Sequence, residues 1–229
     1  ACQAGVRGGG MDEAVALIHE ARSSAAEQRG PLLERILVLV RDVSAAPNLL
    51  DELLPVVLEM QSEEEWRCFV ARFIEACCCR KPSLLPTATE SLVSLSKDSD
   101  VSVIKAVIRC IGSLFRKTLA LICSEDSDMA ESDMGDMWKE FDEVCGGVVK
   151  LVTHTDPSVR NHAVKFVEIG ALTLLATEDL DAESGPATQD VWTLQSIPVC
   201  HTVLDPTRLK QQGEGYISCL AGIAKGEGN

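Results

Sequence analysis

The stretch EACCCRKP, residues 75–82, puts three cysteines in a row, and cysteine is the residue type here most able to do covalent or metal chemistry. A thiolate is both a nucleophile and a soft metal ligand, so Cys77, Cys78 and Cys79 raise zinc binding and thiol catalysis. Zinc needs four ligands converging tetrahedrally, usually from spaced pairs. Consecutive residues on a helix point about 100° apart, and no C-x-x-C spacing or nearby histidine completes a set. Cys77 falls one turn after Phe73 and Ile74, which places it among packed residues. Of the four histidines, His19-Glu20 lacks the second histidine of an H-E-x-x-H pair, and Cys200-His201 are only sequence neighbours. His162, just inside a helix start, reads as a packed or hydrogen-bonded structural residue. No G-x-x-x-x-G-K-[ST] or G-x-G-x-x-G occurs, and GGVVK follows a helix where a phosphate loop would open one after a strand. The expectation is therefore no catalytic residue, no metal and no cofactor. A thiol enzyme built on Cys78 or Cys200 stays as the alternative from another class.

Charge offers a different kind of chemistry. The chain has 35 acidic against 21 basic residues, a formal net charge of −14. Nonspecific binding to nucleic acid draws on a basic surface that displaces counterions, and base stacking draws on aromatics, which are 4% of this chain. Direct nucleic-acid binding by this domain is not expected. No apolar run of 18 residues is free of charge, so no membrane-spanning helix is expected either. Nothing signals secretion, and the ten cysteines fit a reducing compartment as small hydrophobes. Against that acidic background VRNHAVKFVE, residues 159–168, sets Lys165 in the middle of an apolar helical pattern.

The elements that would carry this lysine are helices. Leu33, Ile36, Leu37 and Val40 form a stripe after Pro31, which suits a first helical position. Leu50, Leu53, Leu54, Val57 and Leu58 form the next, entered at Asn48. Ser62 and Glu65 have capping-box spacing and predict a helix running to about Arg80. Two more are expected near 83–97 and 101–123, then one near 134–153 with Met134, Trp138, Phe141, Cys145 and Val148 on one face, although Gly146 and Gly147 weaken it. Asp156 caps, and Pro157 opens, the helix holding Lys165.

Three of these helices superimpose. Trp66, Val70, Phe73 and Ile74 correspond to Val103, Val107, Cys110 and Ile111, and to Val159, Ala163, Phe166 and Val167. The shared spacing i, i+4, i+7, i+8 is one buried helix face. Each follows a shorter amphipathic helix, and paired helices at this period describe an all-α, HEAT/ARM-type solenoid of about four and a half pairs. Residues 1–10 read as a flexible leader, 11–178 as the repeats, 179–203 as a loop and 204–229 as a partial further repeat of a truncated chain. The acidic SEDSDMAESDMGD, residues 124–136, reads as a solvated loop. In the superposition Lys165 aligns with Arg72 and Arg109, off the buried stripe, and Asn161 aligns with Lys105 and Cys68. Second helices of such pairs line the concave surface, so Arg72, Arg109 and Lys165 would form a basic ladder there. Ordinary solvated charges on a helix face account for the same spacing.

HAVKFVE (162–168), FVARFIEACCCRK (69–81) and DSDVSVIKAVI (98–108) resemble the N-terminal HEAT domain of the symplekin family, scaffolds of pre-mRNA 3′-end processing. The resemblance spans roughly residues 11–178, with a weaker echo in SIPVCHTVLDPTRLKQQGEG. It implies a non-enzymatic nuclear scaffold of the cleavage and polyadenylation complex. It further implies a concave face that binds and stimulates the phosphatase acting on the RNA polymerase II C-terminal tail. The lysine of the family's H-A-(I/V)-K-F motif lies in that interface and is Lys165 here. Arg72, Lys105, Arg109 and Asn161 are expected partner-binding residues from the repeat alignment alone. Another HEAT-repeat adaptor, for phosphatase regulation or nuclear transport, would share the architecture.

Overall fold

A computed structural model describes residues 9–42, 48–122, 130–178 and 206–225. Among them it contains nine α-helices and no strand: α1 (Gly9–Ser23), α2 (Ala26–Arg41), α3 (Asn48–Glu59), α4 (Arg67–Arg80), α5 (Leu85–Leu95), α6 (Val101–Ile122), α7 (Glu131–Lys150), α8 (Pro157–Glu178) and α9 (Pro206–Lys225). The helices pack in pairs, α1 on α2, α3 on α4, α5 on α6 and α7 on α8. First members stack as one row, α1–α3–α5–α7, and second members as another, α2–α4–α6–α8, with α9 laid against α8. This double row is the paired-helix solenoid that the repeated apolar spacing demands, since no pair alone can cover its own apolar face.

The superimposed stripes are the core. Trp66, Val70, Phe73, Ile74, Val103, Val107, Cys110, Ile111, Val159, Ala163, Phe166 and Val167 are all buried. Met134, Trp138, Phe141, Cys145 and Val148 form the inner face of α7, and the helix continues through Gly146 and Gly147. α8 opens as its sequence specifies. Asp156 Oδ1 accepts from the amides of Ser158 (2.7 Å) and Val159 (3.2 Å), and from Ser158 Oγ (2.6 Å). Those hydrogen bonds hold the Asp156 carboxyl below its usual range.

Three local expectations are corrected. Residues 131–136, read as the end of an acidic loop, are the first turns of α7, which starts at Glu131. Pro31 does not open α2; the helix starts at Ala26 and carries Pro31 in its interior. In the added turn Arg29 makes one local and one tertiary contact: its Nε donates to Ser24 O (3.0 Å), and its guanidinium lies 5.4 Å over the Trp66 ring. Ser62 and Glu65 do not form a capping box either. Ser62 Oγ donates back to Glu59 O (3.0 Å), Glu65 is drawn into an ion pair with Arg29, and two short 3-10 turns precede α4 at Arg67.

At the other end, α9 docks through Tyr216. Its ring joins Phe115 of α6 (6.4 Å between centroids) and Phe166 of α8 (6.1 Å), and those two rings meet edge to face at 5.9 Å and 89°. Such pairs contribute about 0.5–1.5 kcal/mol beyond the area they bury. Gly170 permits the approach: a Cβ there would sit 2.4 Å from Tyr216 Cε2.

Candidate partner-binding groove

The exposed side of the second row carries a groove of about 410 Å³ between α6 and α8. Ile108, Arg109, Gly112, Ser113 and Arg116 form one wall; His162, Lys165, Phe166, Ile169 and Leu172 form the other. The helical repeat explains this selection. Positions 109, 112 and 116 share one face of α6, as 162, 165, 169 and 172 share one face of α8, each beside the buried stripe. Gly112 keeps the floor open, since a Cβ there would meet only Phe166 Cδ2, at 3.8 Å.

Arg109, Arg116 and Lys165 are exposed, and none has an ion-pair partner among the described residues. Ser113 of the lining is turned to the neighbouring helix, where its Oγ donates to Glu75 Oε1 of α4 at 2.6 Å. The apolar surface is open too, with Ile169 at 43% and Leu172 at 49% exposure. His162 is half-buried, and its Nδ1 lies 2.8 Å from Ser158 O. A carbonyl only accepts, so Nδ1 carries the proton and, in the neutral ring, Nε2 is left as an acceptor. The site thus combines apolar walls with three cations that have no ion-pair partner among the described residues, suited to binding and positioning.

The structure sorts the sequence-derived residues into three groups. Lys165 and Arg109, 56 positions apart in the chain, line the same groove. Lys105 is half-buried and Asn161 exposed, and neither lines it. Arg72 is elsewhere in its interactions: its guanidinium is bound to Glu34 of α2 at 2.6 Å, and that hydrogen bond holds the Glu34 carboxyl below its ordinary value. Arg116 was not singled out by the repeat alignment, which compares positions across helices. Its signal lies along one helix, seven residues after Arg109 on the same face.

The buried cysteines among the described residues are poorly placed for nucleophilic chemistry. Cys77 and Cys78 are fully buried, and burial pushes both thiols up, Cys78 to about 12. At neutral pH Cys78 is a thiol and lacks the thiolate a nucleophile requires. Cys110 and Cys145 are buried and raised likewise. Cys200 and the 179–203 loop lie outside the described residues. Among the described residues no three His, Cys, Asp or Glu side chains converge to hold a metal, and no helix is long and apolar enough to cross a membrane.

A family model described as Symplekin/PTA1 N-terminal matches residues 100–228, more than half of the chain. The match takes in α6 to α9, and with them every residue that lines the groove. On that match, and on an all-helical paired architecture of the kind the sequence resemblance implies, the chain belongs to the Symplekin/PTA1 N-terminal family.

Proposed function

We propose that the protein is a non-enzymatic nuclear scaffold of pre-mRNA cleavage and polyadenylation whose α6/α8 groove binds, and thereby stimulates, the phosphatase of the RNA polymerase II C-terminal tail. Membership of its family suggests a scaffold of mRNA 3′-end processing. The observation that supports the finer reading is the convergence of Lys165 and Arg109 on one groove with no internal counter-charge among the described residues. A protein with a net charge of −14 whose groove cations have no ion-pair partner among the described residues, beside exposed apolar side chains, presents a surface suited to a complement on another molecule. Lys165 would donate charge-assisted hydrogen bonds to carbonyl or carboxylate groups of the phosphatase, with Arg109 assisting.

The test is a binding titration of the phosphatase against the wild-type domain and Lys165→Ala, with a thermal melt of each. Loss of tenfold or more in affinity, about 1.4 kcal/mol per decade, with an unchanged melt supports the reading. Unchanged affinity returns Lys165 to a solvated charge. A domain that instead binds a nuclear-transport factor and no phosphatase would be another kind of HEAT adaptor.

A further inference from the structure

We propose that the α6/α8 groove recognises an acidic peptide segment bearing one large apolar side chain, and that Arg116 is a recognition residue of that site together with Arg109 and Lys165. The proposal rests on reading this groove as the partner-binding site, and it names the chemistry the partner must present. Arg109 and Arg116 stand two turns apart on α6, about 10 Å along the helix axis, with Lys165 on the facing helix. All three are exposed and without an ion-pair partner among the described residues. A guanidinium offers a planar pair of N–H donors that matches a carboxylate, so two such forks along one wall suit carboxylates spaced along a peptide. In the same lining the exposed Ile169 and Leu172 offer an apolar seat, and Gly112 leaves room above Phe166. One large apolar side chain entering there would cover the exposed parts of Ile169 and Leu172. His162 adds an acceptor at Nε2 for a peptide N–H, because its Nδ1 is already committed to Ser158 O.

A single-stranded nucleic acid is the other polyanion to weigh, and the groove fits it poorly. Base stacking needs an aromatic face open to solvent. The one Phe of the lining, Phe166, is buried at 2% exposure, beneath the floor, and the only other ring there is the half-buried imidazole of His162. Carboxylates set around an apolar anchor satisfy both the cations and the apolar walls, which a sugar-phosphate backbone does not.

The experiment is a fluorescence-anisotropy titration of the whole chain with a labelled Asp/Glu-rich peptide centred on one leucine. The comparison probes are the same peptide with serine at the centre, a Lys-rich counterpart and a labelled oligouridylate. The expected result is saturable binding of the acidic leucine peptide that weakens with added salt, with weaker binding of the serine peptide and none of the Lys-rich one. Arg116→Glu should lose at least about tenfold. Gly112→Leu fills the seat and should abolish binding, with a melt recorded alongside to show that the helices stay folded. Absence of binding by the acidic peptide, indifference to Arg116→Glu, or oligouridylate binding as tightly would overturn the inference. The phosphatase is titrated in parallel. If it binds and depends on Lys165 but not on Arg116, the inference fails and the partner assignment stands. If the peptide binds and the phosphatase does not, the partner assignment fails and the inference stands.

Discussion

The two ends of the second helix row begin from the same apolar pattern and treat their cations in opposite ways. At the α2/α4 end, Arg72 meets Glu34, Arg29 meets Glu65 and lies over Trp66, and Arg22 meets Glu63. The six ion pairs between described residues all fall between Glu13 and Asp98. At the α6/α8 end, Arg109, Arg116 and Lys165 find no acid among the described residues and flank an open groove. Arg72, Arg109 and Lys165 hold equivalent positions in their own helices. What separates them is the residue offered by the neighbouring helix: Glu34 closes one junction, and at the other no acid among the described residues pairs with the cations. A cation's availability in a solenoid is thus a property of the junction between repeats, and a repeat viewed alone does not reveal it.

If the ends differ in surface charge and not in the quality of their cores, large truncations should cost the same at both. Trp66→Ala and Phe115→Ala, each removing a fully buried ring, should each destabilise by about 3–5 kcal/mol in chemical denaturation. A much smaller cost for Phe115→Ala would mean the open end is loosely packed, and the comparison would break. Gly170→Ala should cost about 1–3 kcal/mol, because the new methyl overlaps the Tyr216 ring and α8 and α9 must move apart; a melt unchanged from wild type would refute that close approach. Lys165→Ala should then show the contrast in binding, tenfold or more weaker for the phosphatase at constant stability. Arg72→Ala, its counterpart at the closed end, should change affinity by less than about twofold and stability by less than about 1 kcal/mol, since it loses a partly exposed ion pair. Equal binding losses for the two variants would erase the distinction between the ends. The smallest effect is one of pH. The Asp156 carboxyl is depressed in the folded state, so its share of stability is present above the unfolded value of about 3.9 and is lost as pH falls through the lower folded value. Asp156→Asn keeps an acceptor oxygen at the cap and should flatten that acid limb of the stability curve; an identical limb in both proteins would show that the depression is not expressed.

Most of the fold was legible because the residues that build it speak locally. The i, i+4, i+7, i+8 stripes, Asn48 at the start of α3 and Asp156-Pro157 at the start of α8 each state their role within a few positions. Pro31 and the Ser62/Glu65 pair misled for the converse reason. Both were read by local rules that leave out Arg29, whose contacts with Glu65 and Trp66 form only once α2 and the start of α4 are side by side. The groove was half legible. Lys165 and Arg109 came from aligned repeats, but no alignment of one helix on another shows that Glu34 will capture Arg72. Nor does it show that α6 contributes a second arginine to the same wall.

Gly170 and Tyr216 settle a question of modularity. Every residue lining the groove lies between Ile108 and Leu172, so a fragment stopping at the end of α8 would retain them all. It would lack Tyr216, however, and with it one of the rings packed against Phe166, the residue under the floor. The smallest separable unit of this surface therefore includes α9, a helix that contributes no residue to the lining and serves as its foundation.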